Sequence, residues 1–220
     1  MDKIDSIIQY TIASTNGWCG ASGKGLRPLA EMIANFGDGD HVEIGSLFGA
    51  SAILAAKVKK EYNLEGTIYC IDPMIFDEHE ACIRIEGTVS EKLMLRHQEQ
   101  IFKDNVRKWD NIKFIRARSY PWPFDKDKKF NTAFIDGWHY DDGPLNDAKT
   151  MVDVVDQAIL LDDTIPEYPD IHKAFMYLCE HPDWYPFIKL NRSTMFQRYA
   201  PKVVFTKTGT VPLITEISCA

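Results

Sequence analysis

The stretch His41-Val42-Glu43-Ile44-Gly45-Ser46-Leu47-Phe48-Gly49-Ala50-Ser51 constrains the fold of this chain more than any other. It reads as a short buried strand ending in an acidic residue, a break at Gly45, and a return to helix near Gly49. A strand, a tight glycine turn and a helix N-terminus leave backbone N–H groups facing a crevice, which is a cradle for a nucleoside-bearing cofactor. A second strand over 67–72 closes on Asp72. That spacing sets a carboxylate where a ribose would lie.

The rest of the chain alternates in the same way. Helical spacing marks 4–12 and 26–36, joined by a loop over 14–25 rich in glycine and small polar residues. Gly37-Asp38-Gly39-Asp40 is a turn that feeds the first strand, 41–45. Helices are predicted over 50–62, 88–109, 144–154 and 169–181. Strands are predicted over 112–117, 131–135, 158–161, and near 185–190 and 202–207. Residues 73–86 read as a partly helical loop, and Tyr120-Pro121-Trp122-Pro123 must interrupt any regular element.

Four of the strands have little internal polarity, as expected when helices cover both faces of a sheet. The pattern predicts an α/β fold with an open, doubly wound, mostly parallel, seven-stranded Rossmann-like sheet. Right-handed crossovers then bring Gly45, Asp72, Asp136 and Asp162-Asp163 to one edge, where ligands bind in such sheets. One compact domain is expected, with 1–40 as a helical segment and loop packing on a core formed by 41–220.

The bulk properties exclude several classes. No apolar run is long enough to span a bilayer, and the first residues carry acids in place of the apolar core of a secretory signal. The five cysteines are scattered without a CxxC pair, which predicts reduced thiols and a cytoplasmic setting. A net charge of −7 argues against a nucleic-acid partner and for a small molecule. A homo-oligomer is left open.

Gly45 and Gly49 do not form the GxGxxG fingerprint of dinucleotide binding. The form Glu43-Ile44-Gly45 followed by Gly49 and Ser51 resembles motif I of class I S-adenosylmethionine-dependent methyltransferases. The likeness extends over roughly 17–165, through 42–51, 69–73, 134–139 and 160–163. It is strongest to small-molecule O-methyltransferases of the family-24 type, whose fourth strand ends in Ile-Asp-Gly followed closely by His, as Ile135-Asp136-Gly137 and His139 do here. The loop at Gly17-Trp18-Cys19 and Lys24 resembles the approach to motif I in some of these proteins. The resemblance implies S-adenosylmethionine as cofactor, held by Glu43, Gly45, Ser46, Ser51, Asp72 and Asp136. It also implies that Asp72 takes the ribose hydroxyls and that Ser119, past the third strand, contacts the adenine; the alternative for Ser119 is a plain turn residue.

Asp136, Asp162 and Asp163 end adjacent strands. Three ionised carboxylates crowd unfavourably unless a cation compensates them. Metal-dependent O-methyltransferases resemble this layout, which implies Asp136, Asp162 and Asp163 as ligands of Mg²⁺ or another divalent cation that orients an acceptor hydroxyl and lowers its pKa. The alternatives are that Asp136 contacts only the cofactor and that Asp162-Asp163 cap the adjoining loop or helix. His139 is the candidate general base, with Asp136 beside it, because its ordinary pKa lies near neutrality. The competing reading is a histidine that braces its loop. Trp138 stands where relatives often carry a further Asp, so that residue's role does not transfer. Asp141 and Asp142 read as caps for the helix beginning near Pro144, and 164–169 as a loop that selects the acceptor.

The expected activity is O-methylation of a small molecule. Two alternatives stand beside it. One is a nicotinamide-dependent oxidoreductase on a Rossmann-like sheet, and the other is a cofactor-binding module without turnover.

Overall fold

The structure is a computed structural model that describes residues 2–17, 25–75, 97–190 and 192–198. Its elements in chain order are α1 (Lys3–Ser14), α2 (Leu26–Phe36), β1 (His41–Ile44), α3 (Ala50–Tyr62), β2 (Ile68–Ile71), α4 (Gln98–Val106), β3 (Ile112–Ile115), β4 (Phe130–Ile135), α5 (Gly143–Val154), β5 (Val155–Leu161), α6 (Pro169–Glu180), β6 (Trp184–Leu190) and β7 (Ser193–Arg198). They build one seven-stranded sheet in the order β3-β2-β1-β4-β5-β7-β6. The first five strands run parallel and β7 is antiparallel to both β5 and β6. This is the doubly wound, Rossmann-like architecture that the sequence predicts, with an antiparallel edge. Among the described residues no helix is long and apolar enough to cross a membrane.

Period-2 alternation sends successive strand residues to opposite faces. Cys70, Phe134 and Leu160 join α1, α2, α3 and α4 in one apolar cluster. Ile71, Ile135 and Leu161 join α5 and α6 in the other. Both faces are therefore covered, which is why the strands lack a polar side. Helix α3 shows how the local sequence supports this. Ile53, Leu54 and Val58 are fully buried, each stabilising the fold by roughly 1.5–3 kcal/mol relative to exposure. The helix opens at Gly49 (φ 85°) and closes at Asn63 (φ 53°), both left-handed positions that Gly and Asn tolerate best.

A buried lysine ties the start of the sheet together. Lys59 Nζ donates to the carbonyls of Gly37, Gly39 (2.6 Å) and Glu65 (2.8 Å), although burial pushes its pKa down to about 8. One side chain thus gathers three loop-end carbonyls, of which that of Glu65 also accepts the Gly39 N–H at 3.1 Å.

One difference from the sequence-based expectation matters. The second closing strand lies at Ser193–Arg198, so β6 and β7 form a tight hairpin. The predicted strand at 202–207, most of the loop over 73–86 and the start of the helix over 88–109 lie outside the described residues.

Candidate active site at the carboxyl edge of the sheet

The parallel strands end in a common register. Ile115, Ile71, Ile44, Ile135 and Leu161 are partners across β3, β2, β1, β4 and β5. The residues just beyond them form the next row. The backbone N–H of Asp72 donates to Ile115 O at 3.2 Å, that of Gly45 to Ile71 O at 3.0 Å, that of Asp136 to Ile44 O at 2.9 Å, and that of Asp162 to Ile135 O at 3.0 Å. Four residues from distant parts of the chain thus stand side by side along one edge. This edge spans the point where the connections reverse direction, the usual ligand crevice of an open α/β sheet.

The glycine turn is shaped from two sides. Gly45 has φ 84°, and a Cβ there would overlap the Asp136 carbonyl oxygen, so β1 and β4 approach as closely as only glycine permits. Asp72 fixes the other side. Its Oδ2 accepts the N–H groups of Ser46 (2.9 Å) and Leu47 (3.1 Å), and its Oδ1 accepts that of Met74 (2.7 Å). The carboxylate at the end of β2 thereby braces the turn after β1, a task that the sequence alone, pointing Asp72 at the ribose, does not disclose. The turn then enters α3 at Gly49, where no side chain caps the first turn. Asn105 adds a tie from α4, donating through Nδ2 to Phe48 O (2.8 Å) and Asn16 O (2.9 Å).

Glu43 lies beneath this turn and is fully buried. Neither carboxylate oxygen makes a hydrogen bond of good geometry, and neither does the buried hydroxyl of Ser46. Burial pushes the Glu43 carboxyl up to about 7, with the nearby Ser46, Cys70 and Ser51 offsetting part of that rise. Buried polar atoms without partners are costly and rare. Three of them, both carboxylate oxygens of Glu43 and the hydroxyl of Ser46, sit together at this turn, which fits a ligand that brings polar groups of its own. Ser51, in the first turn of α3, is half-buried beside them. Ser119 lies past β3, and its hydroxyl faces the buried Asp147 of α5, whose carboxyl burial pushes up to about 6.

The other half of the edge begins at Asp136. A shallow recess there is lined by Asp136, Trp138, His139, Leu161, Asp162 and Ile171, among others. His139 Nε2 lies 3.4 Å from Asp136 Oδ1, and Nδ1 lies 3.8 Å from Asp163 Oδ2. Desolvation in the crevice, followed by the charges of Asp162 and Asp163, raises Asp136 to about 7, against the His139 hydrogen bond. The Asp136 side chain is 37% exposed, so solvent tempers this shift. For His139 burial acts downward, but Asp136, Asp163 and Asp162 outweigh it and the pKa is raised above 6.5. Trp138 is exposed at the rim and stands edge-on to Tyr140, with centroids 5.1 Å apart. Asp142 takes the N-cap position of α5 without a side-chain cap bond, and the Asp141 N–H is held by Asp170 Oδ2 at 3.0 Å. The expected capping by these two acids is therefore not what the side chains do.

Asp136, Asp162 and Asp163 do stand at the ends of neighbouring strands. Among the described residues, however, no group of three His, Cys, Asp or Glu side chains is placed to hold a metal ion. Their oxygens go to other partners. Ser193 Oγ donates to Asp162 Oδ1 at 2.5 Å, and Arg192 Nε donates to Asp163 Oδ1 at 2.7 Å. Asp163 has φ 52°, a left-handed conformation that Asp adopts more readily than most residues. Sequence reasoning misses Arg192 and Ser193 because it places the hairpin that presents them elsewhere. The residues Asn191-Arg192-Ser193 between two strand-like runs are the available signal.

A sequence model of the methyltransferase-domain family matches residues 42–164, more than half of the 220-residue chain. No curated protein sequence matches the chain. Several solved structures share its fold. An O-methyltransferase from Bacillus cereus, in complex with SAH, is 14% identical over 90% of this chain and 92% of its own, with a TM-score of 0.56. An SAH-bound methyltransferase from Podospora anserina is 13% identical over 91% and 88%, with a TM-score of 0.59. An O-methyltransferase from Streptomyces achromogenes involved in tomaymycin synthesis, in complex with SAM, is 14% identical over 91% and 91%, with a TM-score of 0.56.

Proposed function

This chain belongs to the methyltransferase-domain family, and from that premise we propose that it moves a methyl group from S-adenosylmethionine to an oxygen of a small molecule. The observation that carries the reading is the single row Asp72, Gly45, Asp136 and Asp162, with the unpartnered buried oxygens of Glu43 and Ser46 beside it. A cradle for the cofactor and a candidate proton acceptor share one edge.

In this reading Glu43, Gly45, Ser46 and Ser51 hold the aminoacid end of the cofactor at the N-terminus of α3. Asp72 keeps the turn in shape from the ribose side, Ser119 lies toward the adenine, and Asp136 borders both cofactor and acceptor. When bound, S-adenosylmethionine supplies an electrophilic methyl on a sulfonium. The chain's own task is to align an acceptor oxygen with that methyl and to take its proton. His139 is the residue for the proton. Its ring is oriented by Asp136 and Asp163, and its raised pKa makes it a competent acceptor once neutral. Tyr168, whose ring centroid lies 5.1 Å from that of His139, and exposed Trp138 offer apolar walls for a ring-bearing acceptor.

The test is methyl transfer from isotopically labelled S-adenosylmethionine to a library of hydroxylated small molecules, with His139→Asn alongside. Transfer that depends on His139 supports the reading. Cofactor binding without transfer to any hydroxylated acceptor would remove it.

A further inference from the structure

The geometry points to Arg192 as the built-in cation of the acceptor rim, occupying the place at Asp162-Asp163 that a divalent metal would take. This deepens the proposed methyltransferase function and rests on it. The hairpin between β6 and β7 brings the groups together. Residues Arg192 and Ser193 lie opposite Asp162 and Asp163 because β5 and β7 pair antiparallel, with Leu161 beside Thr194. Ser193 Oγ donates to Asp162 Oδ1, and Arg192 Nε donates to Asp163 Oδ1. Two successive carboxylates are therefore clasped by two successive hairpin residues.

The clasp is reciprocal. Thr164, next to Asp163, donates both its backbone N–H (2.6 Å) and its hydroxyl (2.8 Å) to the carbonyl of Arg192. The Thr164 hydroxyl also meets that of Thr194 at 2.8 Å. The backbone that carries Arg192 is thus fixed to the backbone that carries Asp163. The guanidinium carbon lies 5.7 Å from the Tyr168 ring centroid, a cation–π distance that further limits where the head group goes. The Arg192 side chain is 53% exposed, yet it is held at its main chain, at Nε and on its flank, which restricts it more than a surface arginine without such ties.

The charge balance agrees. A hard divalent ion needs several oxygen ligands free to converge. Here Asp163 gives one oxygen to Arg192 and turns the other toward His139, Asp162 gives one to Ser193, and Asp136 faces His139. Arg192 and His139 offset part of the carboxylate repulsion that a metal would relieve, although burial and the neighbouring Asp162 still hold Asp163 above the usual carboxylate range. Arg192 is accordingly a positioning residue. It holds Asp163, which in turn faces Nδ1 of His139.

The experiment uses the full chain after dialysis against EDTA. Free Mn²⁺ is followed by electron paramagnetic resonance during titration, and melting temperature is read with and without Mg²⁺. The wild type should leave the free Mn²⁺ signal unchanged and melt identically in both conditions. Arg192→Ala releases Asp163 and removes a repelling charge, so it should bind Mn²⁺ tighter than wild type by roughly tenfold or more. Arg192→Gln serves if the alanine variant does not fold, and Arg192→Lys should behave as wild type toward Mn²⁺. Stoichiometric Mn²⁺ binding by the wild type with a rise in melting temperature would overturn the inference. So would folded charge-removing variants that gain no metal affinity. Calorimetry with S-adenosylhomocysteine on the same samples separates the two levels. A wild type that binds both the nucleoside and Mn²⁺ removes only the role of Arg192. One that binds neither removes the methyltransferase reading and leaves the charge assignment in place.

Discussion

Asp72, at the end of β2, accepts the backbone N–H of Ser46, just past the end of β1, at 2.9 Å. The two halves of the proposed cofactor cradle are therefore one hydrogen-bonded unit. Asp72→Asn keeps the shape but removes the charge that receives Ser46, Leu47 and Met74, and hydrogen bonds to a charged group are worth about 1.5–3 kcal/mol each. The variant should lose about 2 kcal/mol of stability in urea and weaken nucleoside binding by roughly tenfold. Unchanged stability would show that the carboxylate does not brace the turn.

Gly45→Ala tests the close approach of β1 and β4. The residue has φ 84°, and its new Cβ would meet the Asp136 backbone, which cannot rotate away as a side chain can. A left-handed alanine alone costs roughly 1–2 kcal/mol, and the overlap adds to it. A melting temperature lower by many degrees is expected, with loss of cofactor binding in whatever fraction folds.

Glu43 gives a pH signature. Burial raises its pKa from an ordinary 4.5 to about 7. The unfolded chain then holds fewer protons than the folded one between those values, so stability falls as pH rises through that window. The difference approaches about 3 kcal/mol at most. Glu43→Gln should remove this fall, making the variant more stable than wild type at pH 8 by chemical denaturation while binding the cofactor less tightly. Parallel pH profiles for the two proteins would contradict the buried, unpartnered carboxylate.

His139 must be neutral to accept a proton. Although burial lowers its pKa, the hydrogen bond and charges around it raise it above 6.5 overall. The transfer rate should therefore climb with pH through a midpoint above 6.5. Asp136→Asn removes the nearest of those carboxylates and should move the midpoint to lower pH. The stability contributed by the protonated ring is present below 6.5 and is lost as pH rises through the raised value. A rate profile indifferent to both changes would assign the proton to another group.

Much of this layout is readable in the primary structure, for a physical reason. Glycine turns and strand-end acids such as Gly45, Asp72, Asp136 and Asp162 fall at positions fixed by local pattern, and the parallel topology then aligns them in one row. Partnerships across the sheet are different. Nothing near Asp72 in sequence announces that its oxygens will be taken by Ser46 and Leu47, because that bond depends on the register of β1 against β2. Arg192 is the clearest case. Its approach to Asp163 depends on the antiparallel hairpin starting at Ser193, and that hairpin carries no period-2 signal strong enough to fix its register in advance.

In the proposed function, the carboxyl edge around Gly45 and Asp136 grips an adenosyl sulfonium. Calorimetric titration of the full chain with S-adenosylhomocysteine, against NAD as control, tests it most directly. Binding at roughly micromolar affinity to the first and none to the second is the predicted result. No heat with S-adenosylhomocysteine, or binding of NAD in its stead, would contradict it.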